Sequence, residues 1–190
     1  MIRLGLTGSI GMGKTTTAQM FRDRNIPVWD ADAAVHRLYA QGGSAVDPVA
    51  AIFPDAVRDG AVDRARLRGV VTTDPDALAR LEAIVHPLVA ADRAAWSEAR
   101  SAPMAVFDIP LLYETDAAGQ FDHVAVVSTD PDTQRRRVME RGTMTGDQFD
   151  AILAKQMPDA EKRRRADYII DTSTMDGARQ DVDRIIAELT

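Results

Sequence analysis

The segment GSIGMGKT, residues 8–15, constrains what this chain can fold into more than any other part of the sequence. It follows the apolar-leaning run 2–7, which predicts a strand, and it precedes a stretch with the pattern of a helix. A glycine, four residues, and then Gly13, Lys14 and Thr15 is the spacing of a P-loop. Glycines let several backbone N–H groups point at one anion, and the helix N-terminus adds the positive end of its dipole. We therefore predict a phosphate-binding loop between the first strand and the first helix.

The polar side chains of this loop predict a nucleotide as its ligand. Lys14 would reach the outer phosphates, and the Thr15 hydroxyl would ligate Mg²⁺. A tight strand-to-helix turn with a solvated lysine is the purely structural interpretation. A dinucleotide fold is not favoured, because no G-x-G-x-x-G follows the strand. The loop residues that we expect to bind the nucleotide are Gly8, Gly11, Met12, Gly13, Lys14, Thr15 and Thr16.

Composition limits the class of protein. A chain of 190 residues is long enough for one compact domain with an elaboration. It has no cysteine, so we expect neither disulfides nor thiol chemistry. Its 23 basic and 29 acidic residues give a net charge of −6, which argues against a nucleic-acid partner. We find neither a leader pattern nor an apolar run of membrane-spanning length, so we expect a cytoplasmic enzyme without a membrane segment and leave its oligomeric state open.

Short apolar runs alternate with helical patterns over most of the chain. A parallel sheet with helices on both sides is typical of this alternation, and its ligands gather at the carboxyl ends of the strands. After Pro158 we expect a very basic turn. The predicted strands are 2–7, 27–29, 104–107, 123–128 and 168–170, and the predicted helices include 15–24, 131–141, 145–156 with a capping box at Thr145 and Gln148, and a last helix bearing Val182, Ile185, Ile186 and Leu189.

The alternation is interrupted by residues 31–101, which have mostly helical patterns. One of these helices is opened by Asp74 and carries an apolar stripe of Leu78, Leu81 and Val85. We interpret the whole segment as an insertion that holds a substrate.

Carboxylates follow two of the predicted strands. Asp30 and Asp32 come after the second strand, and Asp108 ends the third. Asp32 precedes a helical segment, where it could accept the proton of an attacking hydroxyl. Asp30 is equally well explained as a helix cap. Asp108 is a candidate carboxylate near Mg²⁺, and Ile109 follows it where motor-type ATPases carry a hydrolytic glutamate.

Two basic clusters follow the fourth predicted strand. Arg137 and Arg141 lie four residues apart on a predicted helix and so share one face. A helical flap with these arginines would bring positive charge to a migrating phosphoryl group and exclude water. We interpret Arg135, Arg136 and much of the run 162–165 as solvated surface.

Several motifs taken in order resemble the dephospho-CoA kinase family, and the resemblance covers nearly the whole chain. The P-loop belongs to a very large superfamily, whereas the order of the later motifs is specific. The quoted segments are LTGSIGMGKTT, DAD followed by His36, LEAIVHP at 81–87, DIPLLYE at 108–114, QRRRVMERG at 134–142 and ADYIID at 166–171.

This resemblance implies an α/β P-loop NTPase fold of three layers, with a parallel sheet, a helical acceptor-binding insertion and an arginine-bearing lid. It implies ATP-dependent phosphorylation of the ribose 3′-hydroxyl of dephospho-CoA, the last step of coenzyme A synthesis, with ATP and Mg²⁺. Lys14, Asp32 and Arg141 would be catalytic, Arg137 would bind nucleotide, and Thr15 with Asp108 would serve the metal. The implied parts are a core of 1–30, 102–134 and 166–190, an insertion of 31–101 and a lid of 135–165.

Some positions depart from the family pattern or stay open. Ile152 stands where an arginine often precedes the glutamine that ends the lid, and Thr172 and Ser173 stand where an asparagine often lies near adenine. His36 could face the acceptor or be structural. Glu114 could hold the substrate or cap the segment before it. We interpret His86, His123 and Trp96 as structural.

Three other functions remain as alternatives at this point. Another small-metabolite kinase would share the phosphate loop and differ in its acceptor pocket. A guanine-nucleotide switch is poorly supported, because the only asparagine, Asn25, is followed by Ile26 and forms no N-K-x-D motif. A non-catalytic ATP-binding module would lack turnover.

Overall fold

The computed structural model describes residues 1–190, apart from the side chain of Pro75. The chain forms two compact units, one of Met1–Trp29 with Ser101–Thr190 and the other of Asp30–Arg100. The finer division of the first unit into a core and a lid stays a prediction. In chain order the elements are β1 (Ile2–Thr7), α1 (Lys14–Arg22), β2 (Val28–Asp30), α2 (Ala31–Tyr39), α3 (Val46–Ile52), β3 (Val57–Arg58), β4 (Ala61–Val62), α4 (Arg64–Thr73), α5 (Pro75–Glu98), β5 (Met104–Asp108), β6 (His123–Ser128), α6 (Pro131–Glu140), α7 (Gly146–Leu153), α8 (Asp159–Arg165), β7 (Tyr168–Asp171) and α9 (Met175–Leu189).

The first unit is built on a five-stranded sheet in the order β2-β5-β1-β6-β7. The central strand β1 pairs in parallel with β5 and β6, and β6 pairs in parallel with β7. All of β5 and nearly all of β6 are buried, as expected for strands that are covered on both faces. This confirms the predicted parallel α/β fold.

Each face of the sheet has its own apolar layer. On one face α1 and α9 supply Phe21, Val182 and Ile185 to a core that includes Leu4 and Leu6 of β1. A second cluster contains Leu112, Tyr113, Val124 and Val126, with Phe121 and Met157 packed against it. The sheet therefore lies between two layers, and its strands end where the loops of the candidate site begin.

Most predicted boundaries agree with the structure, and one element of the first unit was wrong. The predicted basic turn after Pro158 is the helix α8. Its acidic residues Asp159 and Glu161 lie in the first turn and its basic residues lie in the last turn, an order that favours the helix dipole. The capping box of Thr145 and Gln148 is confirmed, with both reciprocal hydrogen bonds present.

The second unit has a helical core of its own. Its helices α2, α3, α4 and α5 enclose a cluster that includes Leu38, Val49, Phe53 and Leu67. A short antiparallel hairpin of β3 and β4, which the sequence did not predict, pairs Val57 with Val62. Helix α5 continues through an internal proline for 24 residues.

The predicted stripe on α5 was wrong at one position. Leu78 is 49% exposed, whereas Ala77 beside it is fully buried and Val85 is buried as expected. The buried face is therefore rotated by one residue at this end of the helix. Among the described residues, no helix is long and apolar enough to cross a bilayer.

Candidate active site

The loop between β1 and α1 has the backbone geometry of an anion cradle. Gly13, at the N-cap of α1, has a left-handed φ of 95°, which a residue with a side chain rarely adopts. Within the described residues no side chain caps this helix, so the N–H groups of its first turn remain for a ligand. Gly8 is buried where β1 ends, and Thr15 and Thr16 are exposed in the first turn of α1. These features fit a bound phosphate.

The predicted phosphate-binding lysine and the predicted metal carboxylate lie together. Lys14 Nζ forms an ion pair with Asp108 Oδ1, at the end of β5. The side chains are 16% and 4% exposed, respectively. Thr7 Oγ1 donates to the carbonyl of Pro110 and fixes the backbone just after Asp108. The pair thus holds the lysine at the loop with its charge neutralised.

No cluster of three or more His, Cys, Asp or Glu side chains that could hold a metal occurs among the residues described. Mg²⁺ in phosphoryl-transfer sites is commonly bound by one or two protein oxygens together with substrate phosphates. Thr15 and Asp108 supply that small number of oxygens, and their role as ligands stays a prediction.

Arg137 of α6 is connected to the phosphate loop through Thr172. Arg137 donates from Nη2 to the Thr172 carbonyl at 2.6 Å and from Nη1 to its hydroxyl oxygen at 3.2 Å. That hydroxyl donates to the carbonyl of Met12 in the loop at 2.7 Å. Thr172, which the sequence marked only as a departure from the family, therefore joins α6 to the loop. The hydrogen bonds keep the Arg137 guanidinium beside the cradle.

A cavity of about 370 Å³ opens next to these contacts. The phosphate loop, Arg137 of α6, Arg141 at its C-cap and the segment after β7 meet around it. Arg141, at the end of α6, is exposed on its rim. Its lining includes Gly13, Thr16, Arg137, Arg141, Thr172 and Thr174.

The other basic residues have different surroundings. Arg135 is exposed, as predicted, but it pairs with Asp150 at 2.7 Å and lies over the ring of Phe149, which connects α6 to α7. The prediction that the run 162–165 is mostly solvated holds for the three arginines and was wrong for Lys162, whose side chain is fully buried.

Lys162 pairs with Glu114, whose role the sequence left open between holding the substrate and capping the segment before it. Lys162 Nζ lies 2.8 Å from Glu114 Oε1, and the N–H of Met157 donates to the same oxygen at 2.8 Å. Burial alone would raise the pKa of Glu114, but the contacts with Lys162 and Met157 outweigh it and hold this pKa below its usual value. Burial also raises the pKa of the adjacent Tyr113 hydroxyl to about 12. Glu114 thus anchors the segment between α7 and α8.

The acidic residues after β2 differ in their surroundings. Asp30 accepts a hydrogen bond from the N–H of Ala33 at 2.9 Å and is the N-cap of α2. Asp32 lies in the first turn of α2 and is exposed, and His36 is exposed one turn later. Of the two readings of Asp30, capping therefore has structural support. His86 is exposed inside α5.

Comparison with known proteins identifies the family. The model of the dephospho-CoA kinase family matches residues 2–176. The chain belongs to the dephospho-CoA kinase family. A dephospho-CoA kinase of Jannaschia sp. is 57% identical over 188 residues, which cover 98% of this chain and 96% of that protein. One of Ruegeria pomeroyi is 58% identical over 187 residues, covering 98% and 95%.

Solved structures share the fold of this chain. A crystal structure of a Thermus thermophilus protein superposes with a TM-score of 0.89 at 33% identity, covering 100% of this chain and 98% of that one. A shikimate kinase of Bacteroides thetaiotaomicron has a TM-score of 0.51 at 17% identity, with coverages of 99% and 98%, and supports the fold alone. The P-loop kinase fold predicted from the sequence is confirmed.

Proposed function

We propose that this member of the dephospho-CoA kinase family transfers the γ-phosphoryl group of ATP to the ribose 3′-hydroxyl of dephospho-CoA. The products are coenzyme A and ADP. The observation that carries the proposal is the convergence of Gly13 of the phosphate loop, Arg137 and Arg141 on one cavity. The helix that begins with Lys14 has no side-chain cap among the described residues. Phosphoryl transfer depends almost entirely on positioning and on charge stabilisation, and this arrangement supplies positive charge and N–H donors for both.

Binding of ATP begins with an exchange of partners at Lys14. The triphosphate offers Lys14 oxygens that compete with the Asp108 carboxylate, while the N–H groups of the first turn of α1 donate to the phosphate oxygens. Thr15 and the released Asp108 would then hold Mg²⁺, which when bound neutralises charge on the β- and γ-phosphates. Asp108 therefore keeps the lysine in place before the nucleotide arrives and has a second role afterwards.

Asp32 is the proposed base. As the bond forms between the 3′-oxygen and the γ-phosphorus, the 3′-hydroxyl proton passes to the Asp32 carboxylate. The bond to the β-phosphate oxygen breaks, and its electrons leave with ADP. Arg141 stabilises the charge that spreads over the transferred group, and closure of the α6–α8 segment excludes water as a competing acceptor. Asp30 caps α2 and takes no part in the proton transfer.

Turnover with ATP, Mg²⁺ and dephospho-CoA tests the reaction directly, with coenzyme A detected by mass spectrometry. We expect coenzyme A and ADP in equal amounts. ATP binding without coenzyme A formation would mean that this chain is a nucleotide-binding module and not this kinase.

The assignment of the base is tested by Asp32→Asn, with Asp30→Asn as its matched control. General bases typically contribute a factor of about 10² to 10⁴, and a loose transition state asks little of the base, so we expect single-turnover transfer to fall by about 10² to 10³. Asparagine is as good an N-cap as aspartate, so Asp30→Asn should keep both its fold and its rate. A slow Asp30→Asn enzyme beside a normal Asp32→Asn enzyme would reverse the two roles.

A further inference from the structure

Both backbone polar groups of Ile10, in the middle of the phosphate loop, are bound by glutamine side chains. The N–H of Ile10 donates to Gln156 Oε1 at 3.1 Å, and its carbonyl accepts from Gln134 Nε2 at 2.7 Å. Gln134 lies on α6 and is 3% exposed, and Gln156 follows α7 and is half-buried. The loop is thus hydrogen-bonded from two sides by the segment that carries the arginines of the site.

Neighbouring contacts hold the glutamines and the loop in register. A side-chain carbon on Gly11 would lie 2.6 Å from Val138 and 3.0 Å from the Gln134 carbonyl, so α6 packs directly on the loop. Met157, next to Gln156, is fixed by its N–H bond to Glu114. The two glutamines therefore come from backbone that is itself anchored, and their distance to Ile10 is set by the surrounding packing.

We propose that Gln134 and Gln156 are positioning residues that hold the phosphate loop in its anion-binding shape. Backbone groups in a loop lack the ladder of a helix or strand, and without partners they turn towards water or other acceptors. Fixing Ile10 orients the N–H groups that follow it, and it ties them to the α6–α8 segment. Nucleotide affinity and the placement of Arg137 are coupled through these two bonds. The inference deepens the proposed function of the same site.

The two hydrogen bonds run in opposite directions, and this separates the proposal from a general role in packing. Gln156 accepts from Ile10, so Gln156→Glu keeps an acceptor. Gln134 donates to Ile10, so Gln134→Glu places an ionised carboxylate against a carbonyl oxygen. Both variants add one negative charge beside the same residue. The cost of that charge to phosphate binding largely cancels when the two variants are compared.

The primary measurement is the dissociation constant of ADP by calorimetry at pH 8, well below the melting temperature of each variant. We expect Gln134→Glu to bind ADP roughly 10-fold more weakly than Gln156→Glu. Only Gln134→Glu removes a donor and leaves the Ile10 carbonyl without its hydrogen bond. Gln180→Glu adds the same charge to an exposed position on α9 and should bind ADP like the wild type. Equal ADP affinities for the Gln134 and Gln156 variants would overturn the proposal.

A pH series and a second pair of variants complete the test. A protonated carboxyl can donate, so the ADP affinity of Gln134→Glu relative to wild type should recover as the pH falls from 8 to 6, which a packing defect would not do. Should Gln134→Glu not fold, Gln134→Met and Gln156→Met remove each bond without charge, and both should weaken ADP binding several-fold. If Gln134→Met and Gln156→Met bound ADP as tightly as the wild type, the proposal would also be overturned. ADP binding needs no dephospho-CoA, so these outcomes are independent of whether coenzyme A is formed.

Discussion

The phosphate-loop region and the anchor between α7 and α8 each contain a lysine–carboxylate pair, and the two pairs differ in what they can reach. Lys14 pairs with Asp108 in the first turn of α1, which has no side-chain cap among the described residues, and 16% of the lysine side chain is exposed. Lys162 pairs with Glu114 with none of its side chain exposed. The chemistry of the pairs is the same, and their accessibility is different.

From this difference we expect one of the two ion pairs to serve function and the other to serve folding. A lysine that a ligand can reach can exchange its carboxylate for a phosphate, and the exchange contributes to binding. A fully buried lysine such as Lys162 cannot be reached by a ligand, so its ion pair is broken only when the structure unfolds locally. Breaking a buried pair leaves an uncompensated charge, which is strongly destabilising. We therefore expect the same type of substitution to affect stability at one pair and catalysis at the other.

The largest effect on stability should come from Glu114→Gln. Glutamine keeps the shape of the side chain and leaves the Lys162 ammonium buried without a counter-charge, so the free energy of unfolding at pH 7 should fall by about 3–5 kcal/mol. Urea unfolding followed by circular dichroism measures this loss. The double variant Glu114→Gln with Lys162→Met removes both charges and should recover most of the stability. A single variant as stable as wild type would show that this pair does not hold the anchor.

The next effect is on catalysis, at Lys14→Ala. Loss of the only lysine of the loop should lower turnover at least about 10²-fold, since donors aimed at developing charge typically contribute that much. The structure pairs Lys14 with a buried carboxylate, so its loss also affects stability. We still expect a smaller loss of stability than for Glu114→Gln, because the space left by alanine lets water reach Asp108. Wild-type turnover in a folded Lys14→Ala enzyme would contradict the site assignment.

The secondary-structure elements that could be predicted are those whose own residues form a clear hydrophobic pattern. The strands of the parallel sheet are short apolar runs, and β1 and β6 were predicted to the residue. Helix α8 was not predicted because it has no apolar stripe. Its one buried residue, Lys162, stands in a run of basic residues and cannot be told apart from its exposed neighbours by residue type. The hairpin of β3 and β4 has two residues in each strand, too few for any periodicity.

The candidate site divides in the same way between local and distant signals. The phosphate loop and the face shared by Arg137 and Arg141 follow from spacing within one segment. The contact of Lys14 with Asp108 joins residues 94 apart, and that of Gln156 with Ile10 joins residues 146 apart. Such pairs depend on how the strands are ordered in the sheet, which no local pattern specifies. Glutamines in a charged helical segment also give no sign of whether they face a loop or water.

Arg141 and Arg135 offer a second comparison, between an exposed arginine and one that is paired with a carboxylate. We expect a smaller effect on turnover here than at Lys14. Arg141→Ala should lower the transfer rate about 10-fold or more while dephospho-CoA binding changes less, because its charge acts mainly on the transition state. Arg135 is already occupied by Asp150, so Arg135→Ala is the matched control and should change turnover less than about twofold. Steady-state kinetics separates the two effects. A raised Michaelis constant with an unchanged turnover number would make Arg141 a substrate-binding residue only.

The smallest expected effect is the pH dependence that the Lys162–Glu114 pair adds to stability. The pKa of Glu114 lies below its usual value of 4.5, so its contribution is present above about pH 4.5 and is lost as the pH falls through the folded-state pKa. The binding of one proton changes the free energy of unfolding by at most about 1.4 kcal/mol per pH unit.

Urea unfolding between pH 6 and 3 should therefore show a steeper decline in the free energy of unfolding for wild type than for the double variant Glu114→Gln with Lys162→Met. Other carboxylates, such as Asp122, whose pKa the hydrogen bonds from Arg3 lower to about 2, are present in both proteins and cancel in the difference. Parallel curves would mean that Glu114 titrates alike in the folded and unfolded states, and the Lys162–Glu114 pair would then add no pH dependence to stability.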